Sequence, residues 1–428
     1  MTAAASKRRV AVIGGGWAGC TAALTLAEAG VPVTLYEASR TLGGRARAVE
    51  LEGMALDNGH HILLGAYAQT LQLIGRLQPA AADAGLWRLP LALKQPPDFS
   101  LACPAFPAPL NLLAGLLGAH GLGWKEKLAA ARWAHATLNG VEMQDGASVS
   151  ELTRNQPEKL NRLLWHPLCV SALNTPPDAA SARVFRDVLR AAFGGRREHS
   201  DLLLPRRDLG ALLPAPATAR LLDLGGEVRL ASRVSTIDAT ADAVTLATRD
   251  DASVYSHVVV AVAPQHLAAL AAQVAPLQPL AQQMASYRYL PIATAYLQYA
   301  PEFRLAEPLF ALADGPAQFV FDRGQSHGQA GLMALVASAA ADLPADWVDR
   351  AEAQLQRIAR PGRARWRRAI VEKQATYACV PGLSRPDVRT AHPRIFLAGD
   401  YTAGPYPATL ESATLSGVQS AGALLEKL

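Results

Sequence analysis

The hydrophobic pattern opens on residues 9–13 (Arg-Val-Ala-Val-Ile), an apolar run of the kind that forms a parallel strand buried on both faces. Trp17 to Ala29 predicts a helix stopped by Gly30. Val31 to Glu37 predicts a second strand, with Pro32 tolerable at its start. Between 76 and 200 the pattern turns to Leu-, Ala- and Trp-rich stretches that read as helices, broken by Pro96-Pro97, by prolines from 104 to 109 and by Pro176-Pro177. Short strands return at Glu227 to Ile237, Ala243 to Thr248 and Val258 to Val262. Strand-like runs at Ile292 to Tyr299, Gln318 to Phe321 and Leu332 to Ala337 alternate with turns. Arg394 to Ala398 is a last buried strand, and a helix closes the chain at 408–426. This order predicts an α/β protein. A Rossmann-like nucleotide-binding domain is assembled from 1–75, 205–270 and 390–428, and an α+β domain from 76–204 and 271–389 is inserted into it.

Composition sharpens the picture. Apolar residues are 50 % and charged residues 18 % of the chain, below the roughly 25 % charged of an average soluble domain. That excludes intrinsic disorder and suggests a greasy ligand. The net charge is +5, and only seven of the 41 basic residues are lysine. No block of five or six like charges occurs, so no nucleic-acid partner is expected. An anionic ligand or membrane surface is compatible with the basic excess. Cys20, Cys103, Cys169 and Cys379 are far apart, which argues against a metal site and for a reducing compartment. Residues 7–29 imitate a signal peptide, with Lys7, Arg8 and Arg9 before an apolar run and Ala27-Glu28-Ala29 as a mock cleavage site. Gly14-Gly15-Gly16 interrupts that run, and a strand, turn and helix account for it better. No run of 18 apolar residues exists, so no spanning helix is predicted.

The chemistry concentrates at the strand ends. Gly14-x-Gly16-x-x-Gly19 follows a strand and opens a helix. Its glycines serve a tight turn, close approach of a pyrophosphate and close helix packing, and the helix N-terminus favours the phosphates. Glu37 ends the second strand, where an acid takes a ribose hydroxyl. This motif alone fits NAD and FAD equally. Arg40-Thr41-Leu42-Gly43-Gly44-Arg45 follows, with two glycines to let backbone close over a dinucleotide and Arg45 placed to pair with its phosphates. Near the other end, Phe396-Leu397-Ala398-Gly399-Asp400 ends a strand. Pro407-Ala408-Thr409-Leu410 then opens a helix whose N-terminus would favour negative charge beside it. Leu56-Asp57-Asn58-Gly59-His60-His61 is a polar cluster. There His61 is a candidate proton donor; the alternative is a turn in which Asp57 caps backbone and His60 faces water.

These motifs, in this order, resemble the fingerprints of the flavin-containing amine oxidase and phytoene desaturase superfamily. The resemblance implies FAD in a glutathione-reductase-type Rossmann-like domain with an inserted substrate-binding domain. Its cofactor contacts would be Gly14, Gly16, Gly19, Glu37, Arg40, Gly43, Gly44, Arg45, Gly59, Val234, Gly399, Asp400, Thr409 and Leu410. Val258 to Pro264 resembles the superfamily's buried strand after the adenine contact.

Further stretches narrow the likeness: Gly65-Ala66-Tyr67; Leu164-Trp165-His166-Pro167-Leu168-Cys169 with Ala172 to Pro177; Gln318 to Gly324; Ala375 to Pro381; and Tyr406-Pro407-Ala408-Thr409. Over essentially the whole chain they resemble the hydroxysqualene dehydroxylases of bacterial hopanoid synthesis. That likeness implies a C30 isoprenoid substrate, hydroxysqualene, which receives a hydride from reduced flavin and a proton on its leaving oxygen. It names no electron donor. Asp57, His61, His166 and Tyr406 are the candidate catalytic residues. The sequence departs from the family at His60, where Gln is expected, and at His166, where an acid is expected. Tyr67, Trp165, Phe319, Phe321, Tyr377 and Tyr406 could face a cation or simply fill core.

Two other readings compete. One is a carotenoid desaturase or amine oxidase, although no lysine lies between Lys159 and Lys373 to serve near the flavin. The other is a non-catalytic isoprenoid carrier similar to the GDP-dissociation inhibitors, which lack intact flavin motifs. The expected location is the cytoplasm, with peripheral attachment to the inner face of its membrane as an option. Residues 101–124 carry no charge and precede Lys125 and Lys127. They either dip into a membrane interface or cap the substrate cavity from inside.

Overall fold

The computed structural model describes residues 8–79, 85–140 and 146–428; Lys7 of the mock signal lies outside them. Val10–Ile13 sits at the centre of a five-stranded parallel sheet. From one edge the order is Glu227–Arg229, Val33–Tyr36, Val10–Ile13, His257–Val260 and Ile395–Leu397. Every residue of Val10–Ile13 is buried, as a parallel strand covered on both faces requires. The sheet thus draws strands from the start, middle and end of the chain. Helix Trp17–Glu28 packs against the final helix, Leu410–Leu425. Gly417 permits this contact, since a Cβ there would come within 2.5 Å of the Ala18 carbonyl oxygen.

A second five-stranded sheet is antiparallel, in the order Leu309–Ala311, Phe319–Asp322, Leu332–Ala337, Tyr289–Gln298 and Trp366–Tyr377. Its side chains alternate by face. Met333, Leu335 and Ala337 join Trp347, Ala351 and Leu355 of the covering helix Trp347–Ile358. Leu332, Ala334 and Val336 join Leu56, Leu204 and Phe321 on the other face.

Two expectations are corrected. The single strand expected from Glu227 to Ile237 is two strands in different sheets, Glu227–Arg229 and Thr236–Ala239. Between them Ala231 takes φ +51°, and the Ala231 and Ser232 N–H groups donate to the Ser39 and Glu37 carbonyls. The 76–200 region is not helical throughout, because Leu86–Leu89, Ala92–Gln95 and Phe99–Ala102 are strands. Leu93, Gln95, Phe99 and Leu101 are buried with period two, and Pro96-Pro97 lies in the turn of that hairpin.

Candidate functional site

A cavity of about 1000 Å³ reaches from the carboxyl ends of the parallel strands to the antiparallel sheet, at the upper end of the roughly 300–1000 Å³ of small-molecule sites. At one end the glycine loops are fixed by sterics. Gly14 has φ +110°, and a Cβ on it would lie 2.6 Å from the Ala261 carbonyl oxygen. Gly43 and Gly44 have φ of +106° and +61°. Gly16 bridges to Gly43, whose N–H donates to Gly15 at 2.8 Å. A Cβ on Gly16 would meet nothing nearer than the Gly44 Cα at 3.9 Å, so a narrow crevice separates the loops. Gly19 does not line the cavity; its missing Cβ lets the helix seat on the Gly14 carbonyl.

The charged residues hold this frame. Glu37 accepts the Gly15 and Ser39 N–H groups, each at 2.7 Å, one on each carboxylate oxygen. The Arg45 guanidinium donates to Asp400 at 2.6 Å and to the Ala375 carbonyl at 2.7 Å. It therefore ties the second loop to the last strand while lining the cavity. The Gly399 N–H donates to Ser416 Oγ at 2.8 Å, and Thr409 Oγ1 caps the final helix by accepting the Ser412 N–H at 3.1 Å. Gly399, Asp400, Thr409 and Leu410 line the cavity, as do Gly59 and the buried Val234. Arg40 is exposed and lies outside the lining.

Three catalytic expectations separate. Asp57 is buried behind the wall. Its carboxylate accepts the Leu209 N–H at 3.1 Å and pairs with Arg323, itself 1 % exposed, at 3.1 Å. That pairing makes Asp57 an anchor and removes it from the reacting surface. His166 begins the helix His166–Leu173, of which Leu168, Ser171, Ala172 and Leu173 line the cavity, whereas His166 itself is not among the lining residues. Tyr406 does line the cavity, edge-on to Tyr67 with centroids 6.4 Å apart. Of the other candidate aromatics, Tyr67, Phe319 and Phe321 line it. Trp165 instead stacks on Trp133 at 4.2 Å, and Tyr377 accepts from Arg385 at 3.0 Å.

His60 and His61 both line the cavity, and their partners assign opposite tautomers. His61 Nδ1 lies 2.5 Å from the Gly59 carbonyl, which can only accept, so Nδ1 carries the proton and Nε2 is bare. His60 Nδ1 lies 3.4 Å from Arg323 Nη1, which can only donate, so His60 carries its proton on Nε2. Burial lowers both pKa values; the Arg323 charge adds to the effect at His60. His60 Nε2 is buried without a partner, as is the hydroxyl of Tyr401, another lining residue. Buried donors seldom stay unpaired in a finished site.

Sequence reasoning missed Glu372, Tyr401 and Arg323. Glu372 lines the cavity and accepts the Asn58 side-chain amide at 2.8 Å. Its signal was phase: within Trp366–Tyr377 it alternates in step with Trp366 and Ile370, both less exposed than their neighbours.

The crevice between two glycine loops, the helix N-terminus at Thr409 and the unpaired donors fit a dinucleotide such as FAD. Gly14, Gly16, Gly43, Gly44 and the end of the final helix would hold it.

Comparison with known proteins agrees. The chain is 27 % identical to a hydroxysqualene dehydroxylase of Sinorhizobium fredii, over 98 % of this chain and 99 % of that one. It is 26 % identical to a 15-cis-phytoene desaturase of Synechococcus elongatus, over 98 % and 96 %. Its fold matches a putrescine oxidase bound to putrescine with TM-score 0.73 and 16 % identity, covering 98 % of this chain and 99 % of that one. Residues 17–425 match the flavin-containing amine oxidoreductase family. The chain belongs to that family, as an FAD-dependent oxidoreductase of α/β fold.

Proposed function

We propose that the protein reductively removes the hydroxyl of hydroxysqualene to give squalene, a step of hopanoid-type isoprenoid synthesis. The observation that carries this reading is the cavity's second end. Beyond the glycine loops its wall is Leu91, Leu93, Ile292, Leu309, Phe319 and Phe321, with no lysine among the described lining residues. Such a wall suits a long hydrocarbon and excludes water from it. The similarity to a hydroxysqualene dehydroxylase over nearly its whole length supports the same substrate class.

Once bound and reduced, FAD supplies a hydride for the carbon that loses oxygen. This chain then has two tasks at the leaving hydroxyl. His60, neutral with its proton on Nε2, donates a hydrogen bond that orients the oxygen. An amide donor would serve equally, which accounts for His standing where Gln is expected. His61 holds its Nδ1 proton against Gly59, so a second proton can reside only on Nε2. Its lowered pKa makes that imidazolium a strong acid, able to protonate the departing oxygen as water. Phe319, Phe321 and Tyr406 present ring faces and edges to the carbon as positive charge develops.

We place FAD binding in 1–75, 205–270 and 390–428 and substrate binding in the rest. The protein works from the cytoplasmic side as a peripheral protein. No helix among the described residues is long and apolar enough to cross a membrane.

The test is anaerobic incubation of reduced holoprotein with hydroxysqualene, with products read by mass spectrometry. Squalene is expected from reduced protein and none from oxidised protein without reductant. Equal yields from both would overturn the reading. The desaturase alternative, favoured by the similarity to a phytoene desaturase, predicts electrons flowing from a polyene into oxidised flavin.

A further inference from the structure

Residues 101–124, which contain no charged side chain, form neither a simple cavity cap nor a simple anchor. Helix Leu110–Gly118 is apolar except for the buried Asn111 and divides its leucines between two faces. Leu110, Leu113 and Leu117, at helical spacing, are 57 %, 44 % and 44 % exposed. Leu112 and Leu116 turn inward and pack against the cluster of Leu93, Phe99 and Leu101. Leu93 in turn lines the cavity. A single apolar cluster therefore has the cavity on one side and bare leucines on the other.

The outward face continues. Phe106 is 52 % exposed, and Trp124 and Leu128 of the next helix, Trp124–Asn139, are 69 % and 45 % exposed. These six are a majority of the large apolar side chains exposed among the described residues, gathered within 23 positions of chain. Basic residues frame them. Arg132 follows Trp124 and Leu128 at four-residue steps, Lys125 is exposed, and the Lys127 ammonium donates to the Leu117 carbonyl at 2.6 Å. Arg196 and Arg197 lie beside Pro107 and Ala108 across a shallow groove. The acids of the frame are Glu126 and Glu198, the latter within 3.6 Å of both arginines.

We propose that this face docks on an anionic lipid bilayer and that the hydrocarbon substrate enters from it through the Leu93 cluster; the entry route, though not the docking, rests on the dehydroxylase reading. A protein partner fits less well. Protein interfaces carry about one hydrogen bond per 100–200 Å², whereas the exposed side chains from 105 to 118 offer no donor or acceptor. Aliphatic side chains with a Trp at the edge and cations around them match a hydrocarbon layer under phosphate headgroups.

The test uses holoprotein, with phosphatidylcholine vesicles prepared with and without phosphatidylglycerol. The parent should float with phosphatidylglycerol vesicles and less so as salt rises. The variant Leu110→Ser/Leu113→Ser/Leu117→Ser should lose binding by more than about tenfold, with its flavin content and thermal midpoint those of the parent. Leu112→Ser/Leu116→Ser should instead lower the midpoint, because those side chains are inside. Parent-like binding by the triple variant would overturn the proposal. So would a parent that ignores both vesicles, or one that forms a dimer which the triple variant dissolves, since a second copy would then be the occupant. Vesicle binding is read without substrate, so it can fail or hold independently of dehydroxylation.

Discussion

Gly16→Val is the most informative single change at the cofactor site. Gly16 has φ −76° and ψ −178°, backbone that valine adopts freely. Its new Cβ would meet only the Gly44 Cα, at 3.9 Å. The fold should therefore accept the residue, while the two methyl groups occupy the crevice into which a pyrophosphate must come. Overfilling a fitted site costs about 1–3 kcal/mol, which is about five- to 150-fold in FAD affinity. Flavin per polypeptide after desalting, and quenching of FAD fluorescence by apoprotein, measure this directly. A folded variant that keeps parental FAD affinity would refute the assignment. The contrast is Gly19→Ala, whose Cβ would collide with the Gly14 carbonyl oxygen; that variant should lose the fold rather than the cofactor alone.

Other consequences follow from the same geometry. Arg323→Met leaves Asp57 buried and unpaired, so the denaturant midpoint should fall by the equivalent of about 3–5 kcal/mol; an unchanged midpoint would contradict the anchoring role. His327 is held neutral, with a pKa lowered to about 3 by burial and by Arg323, since Asp57 at 3.7 Å is too far to hydrogen-bond and already engaged. Its unfolded counterpart protonates below about 6.5, so stability should be full above that pH and fall towards pH 4 by up to about 1.4 kcal/mol per unit, as pH-dependent denaturant melts would show. His60→Gln should keep most dehydroxylation and His60→Leu should lose it, with flavin content unchanged in both. Turnover should decline with rising pH already below the ordinary histidine range, because burial lowers the His61 pKa and the proton on Nε2 is lost early; a pH-independent rate would assign the acid elsewhere.

The sequence displays what local sterics dictate. A Gly14 turn and a Gly43-Gly44 loop admit no side chain, so their motif announces them. All-apolar Val10–Ile13 and Val258 to Val262 read as buried strands from their composition, and the first three residues of the latter do pair beside Val10–Ile13 in the parallel sheet. What stayed hidden depends on distant partners. Asp57 reads as a polar residue near a flavin until Arg323, 266 positions away, claims its carboxylate. Arg45 meets Asp400 across 355 positions. In Leu110–Gly118 the stripes 110/113/117 and 112/116 are equally apolar, so periodicity could not say which faces out. The opposite tautomers of His60 and His61 follow from a carbonyl and a guanidinium that no spacing reveals.

The direction of electron flow is the central claim, and single-turnover mixing tests it. Holoprotein reduced anaerobically, carrying deuterium at the flavin N5, is mixed with hydroxysqualene while flavin absorbance and product are followed together. The account predicts that oxidised flavin returns in step with squalene, one per enzyme, and that squalene carries the deuterium when exchange with water is slower than transfer. Flavin that stays reduced while squalene forms, or that reoxidises without it, would contradict the account.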